Sequence, residues 1–186
     1  MSIQTSYLTG ENDMKYKYAD IMDNDISDSI NGIAVSVWMQ GCPFHCADCH
    51  NSELWDFNGG KEMPDNFIDI LYDKLVANNV KRNLSILGGE PMCTENIDAT
   101  EYILSNIKKR LPDLKVLLWT GRTWEELMND KIKTFGVLMY VDILIDGRYD
   151  RSKRDVTLPL RGSSNQRVID VPNSIKENKI ILYEIN

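Results

Sequence analysis

Residues 40–55, Gln-Gly-Cys-Pro-Phe-His-Cys-Ala-Asp-Cys-His-Asn-Ser-Glu-Leu-Trp, hold three of the chain's four cysteines, Cys42, Cys46 and Cys49, in a C-x3-C-x2-C array. What delivers this array restricts the fold. The preceding run over residues 33–39, Ile-Ala-Val-Ser-Val-Trp-Met, is almost wholly apolar and reads as a buried strand. Gly41 and Pro43 break it, so the thiols fall on a tight loop at the strand's C-terminal end. Open and barrel-like α/β folds carry their chemistry at that end of the sheet.

Three close thiolates are soft, negatively charged donors and suit a metal ion or a cluster. Two readings follow. A structural zinc needs a fourth ligand, which His50 or His45, the only two histidines, would supply. A [4Fe–4S] cluster normally takes four cysteines, and three leave one iron open for chemistry. The spacing is tighter than a paired C-x2-C zinc ribbon, and no second pair follows. A disulfide framework fits poorly, because three cysteines crowd one loop and no signal-peptide pattern precedes them.

The remainder alternates between strand and helix patterns. A short strand is expected near residues 16–21, within a polar, acidic stretch containing Asp20, Asp23, Asp25 and Asp28. Pro64 opens a helix with Phe67, Ile68, Leu71 and Leu75 on one face. Residues 83–87 form a strand ending at Gly88-Gly89. Thr94 is placed to cap a helix to about residue 111, with Ile97, Tyr102, Ile103 and Ile107 inward. Residues 114–119 make the next strand and 123–135 the next helix, opened by a Thr123/Glu126 capping box. Residues 140–145 form a further strand, and 179–184 a tail strand. Such alternation means βαβ units and a mainly parallel sheet buried on both faces. About four units are too few for a closed eight-fold barrel.

Composition narrows the class. The 186 residues, 42% hydrophobic and 26% charged, fit a single domain that buries its own core. No apolar stretch approaches the ~20 residues of a membrane span. A net charge of -7 argues against general nucleic-acid binding. Reactive thiols without a targeting signal point to the reducing cytosol. Against this acidic background Arg148, Arg151, Lys153, Arg154, Arg161 and Arg167 form a basic segment.

The cysteine array resembles the signature of the radical S-adenosylmethionine superfamily. Four further stretches are similar to its smallest branch, the activating enzymes of anaerobic (class III) ribonucleotide reductase: Leu-Gly-Gly-Glu-Pro at 87–91, Trp-Thr-Gly at 119–121 with Glu-Glu-Leu at 125–127, Ile-Leu-Ile-Asp-Gly-Arg-Tyr at 143–149, and Leu-Arg-Gly-Ser-Ser-Asn-Gln at 160–166. They lie in the family's order over most of residues 32–170. The resemblance implies a single-domain, shortened and open partial (βα) barrel. Its parts are an N-terminal extension (1–31), a core (32–170) and a tail (171–186). It implies a cluster on Cys42, Cys46 and Cys49 that donates an electron to S-adenosylmethionine and yields a 5′-deoxyadenosyl radical. That radical takes a hydrogen atom from a glycine of the anaerobic ribonucleoside-triphosphate reductase large subunit. A flavodoxin- or ferredoxin-like donor is implied, without membrane or nucleic-acid partners.

Residue by residue, the resemblance implies that Gly88, Gly89 and Glu90 meet the methionyl end of the cofactor. Asp48 stands where many members carry an apolar or aromatic residue, so its backbone and the His50 ring are expected at the adenine. Thr120 is a further candidate contact. His45 reads as a solvated loop residue, Trp38 and Trp119 as core, and Cys93 as a small buried thiol. The alternatives are another small radical enzyme, with a different glycyl-radical partner or a deazapurine precursor, and a Cys3His zinc-stabilised binding module.

Overall fold

Val35, Val37 and Met39 lie fully buried on one side of a seven-residue strand, the pattern of a chain covered on both faces. The computed structural model describes residues 16–185. The strands in chain order are β1 (Lys17–Asp25), β2 (Ile33–Met39), β3 (Lys61–Glu62), β4 (Arg82–Gly88), β5 (Val116–Trp119), β6 (Ile143–Asp146) and β7 (Arg167–Asp170). The helices are α1 (Phe67–Val76), α2 (Ile97–Arg110), α3 (Trp124–Asn129), α4 (Lys131–Leu138) and α5 (Val171–Glu177). All seven strands form one sheet in the order β3-β1-β2-β4-β5-β6-β7. Its centre, β2, β4, β5 and β6, is parallel, and β1 and β7 flank it antiparallel. The sheet is a mixed α/β layer and does not close.

Parallel neighbours need crossovers, and the helices supply them. α1 buries Phe67, Ile68, Leu71 and Leu75 at the expected spacing. α2 buries Ile97, Thr100, Ile103, Leu104 and Ile107. Both pack on the sheet face carrying Val35, Val37, Leu84, Ile86, Val116 and Leu118, which together form the larger core. The opposite face holds a smaller cluster of Ile30, Leu117, Ile143, Ile145 and Val168, with Trp119, Leu160, Tyr183 and Ile185 against it.

Several expectations needed correction. The cap of α2 is Asn96 rather than Thr94, and Tyr102 is 38% exposed beside Tyr16, with Leu104 inward instead. The third helix is two, because Asp130 leaves helical geometry between α3 and α4; the Thr123/Glu126 capping box is present. The last unit is not βα. A strap of residues 147–166 follows β6 and leads to antiparallel β7. The tail pairs only through a single Ile169–Leu182 bridge. Of the N-terminal extension, residues 1–15 lie outside the described residues, and the expected short strand extends to Asp25.

At the N-terminal ends of the parallel strands the 25–31 segment folds underneath. Ser36 of β2 donates to Asp25 at 2.6 Å, Ser85 of β4 donates to the Asp28 carbonyl, and Asn83 donates to the Ile30 carbonyl at 2.8 Å. Burial, then the nearby Asp25 charge, raises the Asp28 carboxyl to about 6.

Two outcomes are expected. Phe67→Ala leaves a hole under the sheet and should cost about 3–5 kcal/mol in urea unfolding. The folded chain holds the Asp28 proton more tightly than the unfolded chain. This contribution is present below about pH 4 and lost as pH rises through about 6. Asp28→Asn should therefore gain stability relative to wild type across that window, as measured by urea midpoints.

Candidate metal and cofactor site

The loop carrying the thiols is fixed at its root before the first cysteine. Gly41 has φ +91°, a conformation that favours glycine, and a side chain there would strike the Phe57 ring. Its N–H donates to the Leu54 carbonyl at 2.8 Å, and Cys42 N–H donates to the Trp55 carbonyl at 3.1 Å, closing residues 41–55 into a lobe. The Gly88-Gly89-Glu90-Pro91 loop at the end of β4 crosses this root. Gly89 N–H donates to the Met39 carbonyl at 2.9 Å and Glu90 N–H to the Gly41 carbonyl at 2.8 Å. A Cβ on Gly89 would collide with that same Gly41 oxygen, so the crossing requires a glycine.

Cys42, Cys46 and Cys49 are all unpaired and half-buried. A Cys49 N–H to Cys46 carbonyl bond of 3.1 Å makes a turn that sets the last two. Burial pushes the Cys42 thiol up to about 11, and charge on Glu90, Cys46 and Cys49 adds to the rise. Burial likewise raises Cys46, with Cys49 next. Thiols that oppose one another's ionisation share one site, and a cationic centre among them would stabilise the thiolates. Donor chemistry therefore suits an iron–sulfur cluster, with the three cysteines as its holders. Among the described residues no three His, Cys, Asp or Glu side chains converge as ligands of a single ion.

Glu90 is 1% exposed, and its carboxylate ties β4 to β5. Thr120 Oγ1 donates to Oε1 at 2.6 Å, Met92 N–H to Oε1 at 2.9 Å, and Gly121 N–H to Oε2 at 2.6 Å. Burial raises the carboxyl above its ordinary range, while these three donors and Arg122 pull it down. Gly88, Gly89, Glu90 and Thr120 are thus brought together beside Cys42. Asp48 and His50 are not. Asp48, at φ +57°, forms an exposed 2.8 Å ion pair with Arg151. His50 lines a smaller cleft of about 340 Å³ with Trp38, Asp20 and Glu53. His45 is exposed but not free of contact, since its ring stacks on Trp55 at 4.6 Å. Trp38 and Trp119 are partly buried, Trp119 donating to the Leu160 carbonyl at 2.8 Å. Cys93 is buried, and burial pushes its thiol up to about 12.

A cleft of about 1040 Å³ opens between the cysteine loop and the 147–166 strap, with Ala47, Gly121, Thr123, Asp146, Arg148 and Asn165 among its walls. That volume suits a nucleoside-sized ligand with room to spare. The basic segment is largely engaged here. Arg148 lies 4.2 Å over the Phe44 ring of the cysteine loop, and Lys153 pairs with Asp150 at 3.3 Å. Arg167 joins Glu125 and the fully buried Asp146, which also accepts from Trp124 N–H at 2.7 Å. The Arg-Gly-Ser-Ser-Asn-Gln stretch holds the strap's shape. Gln166 accepts from Gly162 N–H at 2.9 Å and donates to the Gly147 carbonyl at 3.0 Å, and Asn165 donates to the Arg148 carbonyl at 2.8 Å.

An open mixed sheet thus carries three free thiols just past the carboxyl end of the first strand of its parallel centre. Residues 31–169 match the model of the 4Fe-4S single cluster domain family. The anaerobic ribonucleoside-triphosphate reductase-activating protein of Vibrio cholerae is 33% identical over 139 residues, covering 73% of this chain and 86% of the relative. That of Pasteurella multocida is 30% identical over 156 residues, covering 83% and 94%. That of Escherichia coli is 28% identical over 141 residues, covering 74% and 88%. The chain belongs to this family of activating proteins. No helix among the described residues is long and apolar enough to cross a membrane.

Sequence reasoning did not find Asn96, the Glu125–Arg167–Asp146 network or the Phe44–Arg148 contact. For the polar residues, only their polarity beside apolar strand ends signalled them; Phe44 carried no such signal. Thr120→Val removes the hydroxyl that donates to the buried Glu90 carboxylate and should cost about 1–3 kcal/mol in urea unfolding, while Thr120→Ser should keep most of that stability.

Proposed function

We propose that this protein is an iron–sulfur activase that uses S-adenosylmethionine to generate a glycyl radical on anaerobic ribonucleoside-triphosphate reductase. The observation that carries the reading is the junction just described. Three free thiols stand on a loop whose root is hydrogen-bonded to the Gly-Gly-Glu-Pro loop, beside a cleft large enough for the cofactor. The relatives named as reductase-activating proteins support the choice of partner.

Cys42, Cys46 and Cys49 would each hold one iron of a [4Fe–4S] cluster and leave the fourth open. Such a cluster, held by these cysteines, would supply the electron for reductive cleavage of S-adenosylmethionine and so for hydrogen-atom removal from the partner's glycine. Gly88 and Gly89 present backbone to the methionyl group without a side chain in the way. Glu90 supplies fixed negative charge toward its ammonium, and Thr120 holds that carboxylate in place. The adenine side falls to the backbone of Asp48, next to Cys49, rather than to the His50 ring, which lines the separate cleft with Trp38. The strap and the 41–55 lobe limit water at the site.

The open sheet is read as a shortened partial barrel whose lateral opening admits a polypeptide. The chain is one domain, with an N-terminal extension, a core over 32–170 and a C-terminal tail. A flavodoxin- or ferredoxin-like protein in the cytosol supplies the electron, and the acidic net charge disfavours nucleic acid as a partner.

Protein reconstituted with iron and sulfide without oxygen, reduced with dithionite and given S-adenosylmethionine should release 5′-deoxyadenosine. Cys42→Ala, Cys46→Ala and Cys49→Ala should each abolish release. A colourless protein with stoichiometric zinc and no cleavage would end this reading.

A further inference from the structure

Asn96 occupies the N-cap of the fourteen-residue helix α2, where an asparagine ordinarily turns its side-chain oxygen onto the helix's first free amides. Here it makes no such bond. Its side chain is 5% exposed, and Nδ2 donates elsewhere: to the carbonyls of Gln40 at 2.9 Å, Gly41 at 3.2 Å and Glu90 at 3.0 Å. Two of these acceptors are the residues immediately before Cys42, and the third lies in the Gly-Gly-Glu-Pro loop. One amide thus bonds both loops of the site at once.

The base of this amide is rigid. Asn96 N–H donates to the Cys93 carbonyl at 3.2 Å. Its own carbonyl accepts from Thr100 N–H at 2.9 Å and Thr100 Oγ1 at 3.0 Å. The helix that follows is seated in the larger core through Ile97, Ile103, Leu104 and Ile107. The position of the first thiol is therefore tied to the core through this side chain as well as through the backbone bonds at Gly41, Gly89 and Glu90.

We infer that Asn96 is a positioning residue, which gives up its capping bond to hold the root of the cysteine loop against the Glu90 loop and so sets where Cys42 stands. The inference rests on the proposed function for its purpose, but its geometry and its test do not require S-adenosylmethionine chemistry.

A plain N-cap and a clamp predict opposite results for Asn96→Asp. Aspartate caps as well as asparagine and gains from the helix dipole, so a capping role leaves the variant as stable as wild type or more so. As a clamp, the substitution turns a carboxylate with no hydrogen to give toward three carbonyl oxygens. The full chain, free of cluster and kept reduced, is labelled with iodoacetamide, and the rate at Cys42 is followed by mass spectrometry. Cys42 should label about tenfold faster in Asn96→Asp and in Asn96→Ala, because the loop root opens locally more often. After reconstitution, the electron paramagnetic resonance line shape of the reduced cluster should change in both variants, before any S-adenosylmethionine is added. Wild-type labelling and a wild-type line shape in the variants would overturn the inference. Should Asn96→Asp fail to fold, Asn96→Ala, which only deletes the donor, decides the matter in the same two measurements. Failure of wild-type protein to cleave S-adenosylmethionine would count against the proposed function and leave the labelling result readable.

Discussion

The carbonyl of Gly41 is the point on which the site depends. It accepts from Glu90 N–H and from Asn96 Nδ2, while the N–H of the same residue donates to Leu54. Three segments meet there: the end of β2, residues 90–96 between β4 and α2, and the far end of the cysteine loop at Leu54. The approach is close enough that Gly89 admits no side chain. A backbone oxygen buried at such a crossing must be bonded, since an unmet acceptor costs free energy comparable to the bonds it forgoes. The cysteine loop is consequently a rigid outgrowth of the sheet. Rigid support of this kind is what a site needs if three thiols are to keep a fixed relation to neighbouring groups.

Charge around this junction is arranged in two layers. The inner layer is negative: a buried Glu90 raised by burial, and thiols that raise one another. Without a cationic centre that layer resists full ionisation, and with one it becomes a set of matched partners. The outer layer is basic and belongs to the strap. Arg148 over Phe44 and Arg151 against Asp48 tie the strap to the cysteine loop across the cleft. Both contacts are exposed and individually weak in water.

The parallel core was legible because its strands are continuous apolar runs ending at glycine, and each helix repeats its apolar face on one period. The cysteine loop at the end of β2, the α1 face and the Thr123/Glu126 cap all follow from local pattern. What pattern missed was decided at a distance. β7 is four residues long, Arg167-Val-Ile-Asp170, and gains its place from pairing with β6 and from the Arg167–Asp146 bond rather than from its own periodicity. Tyr102 has the spacing of an inward residue but stands against Tyr16 at the rim. Asn96 reads as an ordinary polar residue before a helix, and its three acceptors come from residues 40, 41 and 90. The 147–166 strap shows only charge and small polar residues in sequence, because its shape comes from side chains bonding backbone across the loop, as Gln166 and Asn165 do. Among the candidate site residues, Gly88, Gly89, Glu90 and Thr120 meet at the root of the loop that carries Cys42, as their places at the ends of β4 and β5 suggest. Asp48 instead pairs with Arg151 of the strap, and the His50 ring lines a separate cleft.

The central claim is that this chain makes a radical on another polypeptide. The most direct measurement mixes the reduced, cluster-loaded protein with S-adenosylmethionine and anaerobic ribonucleoside-triphosphate reductase, freezes the mixture and records its electron paramagnetic resonance spectrum. The account predicts an organic radical signal on the reductase that collapses to a narrower line when its glycines carry deuterium at the α-carbon, and that is absent with Cys42→Ala protein. A reductase that stays radical-free while S-adenosylmethionine is consumed would contradict it.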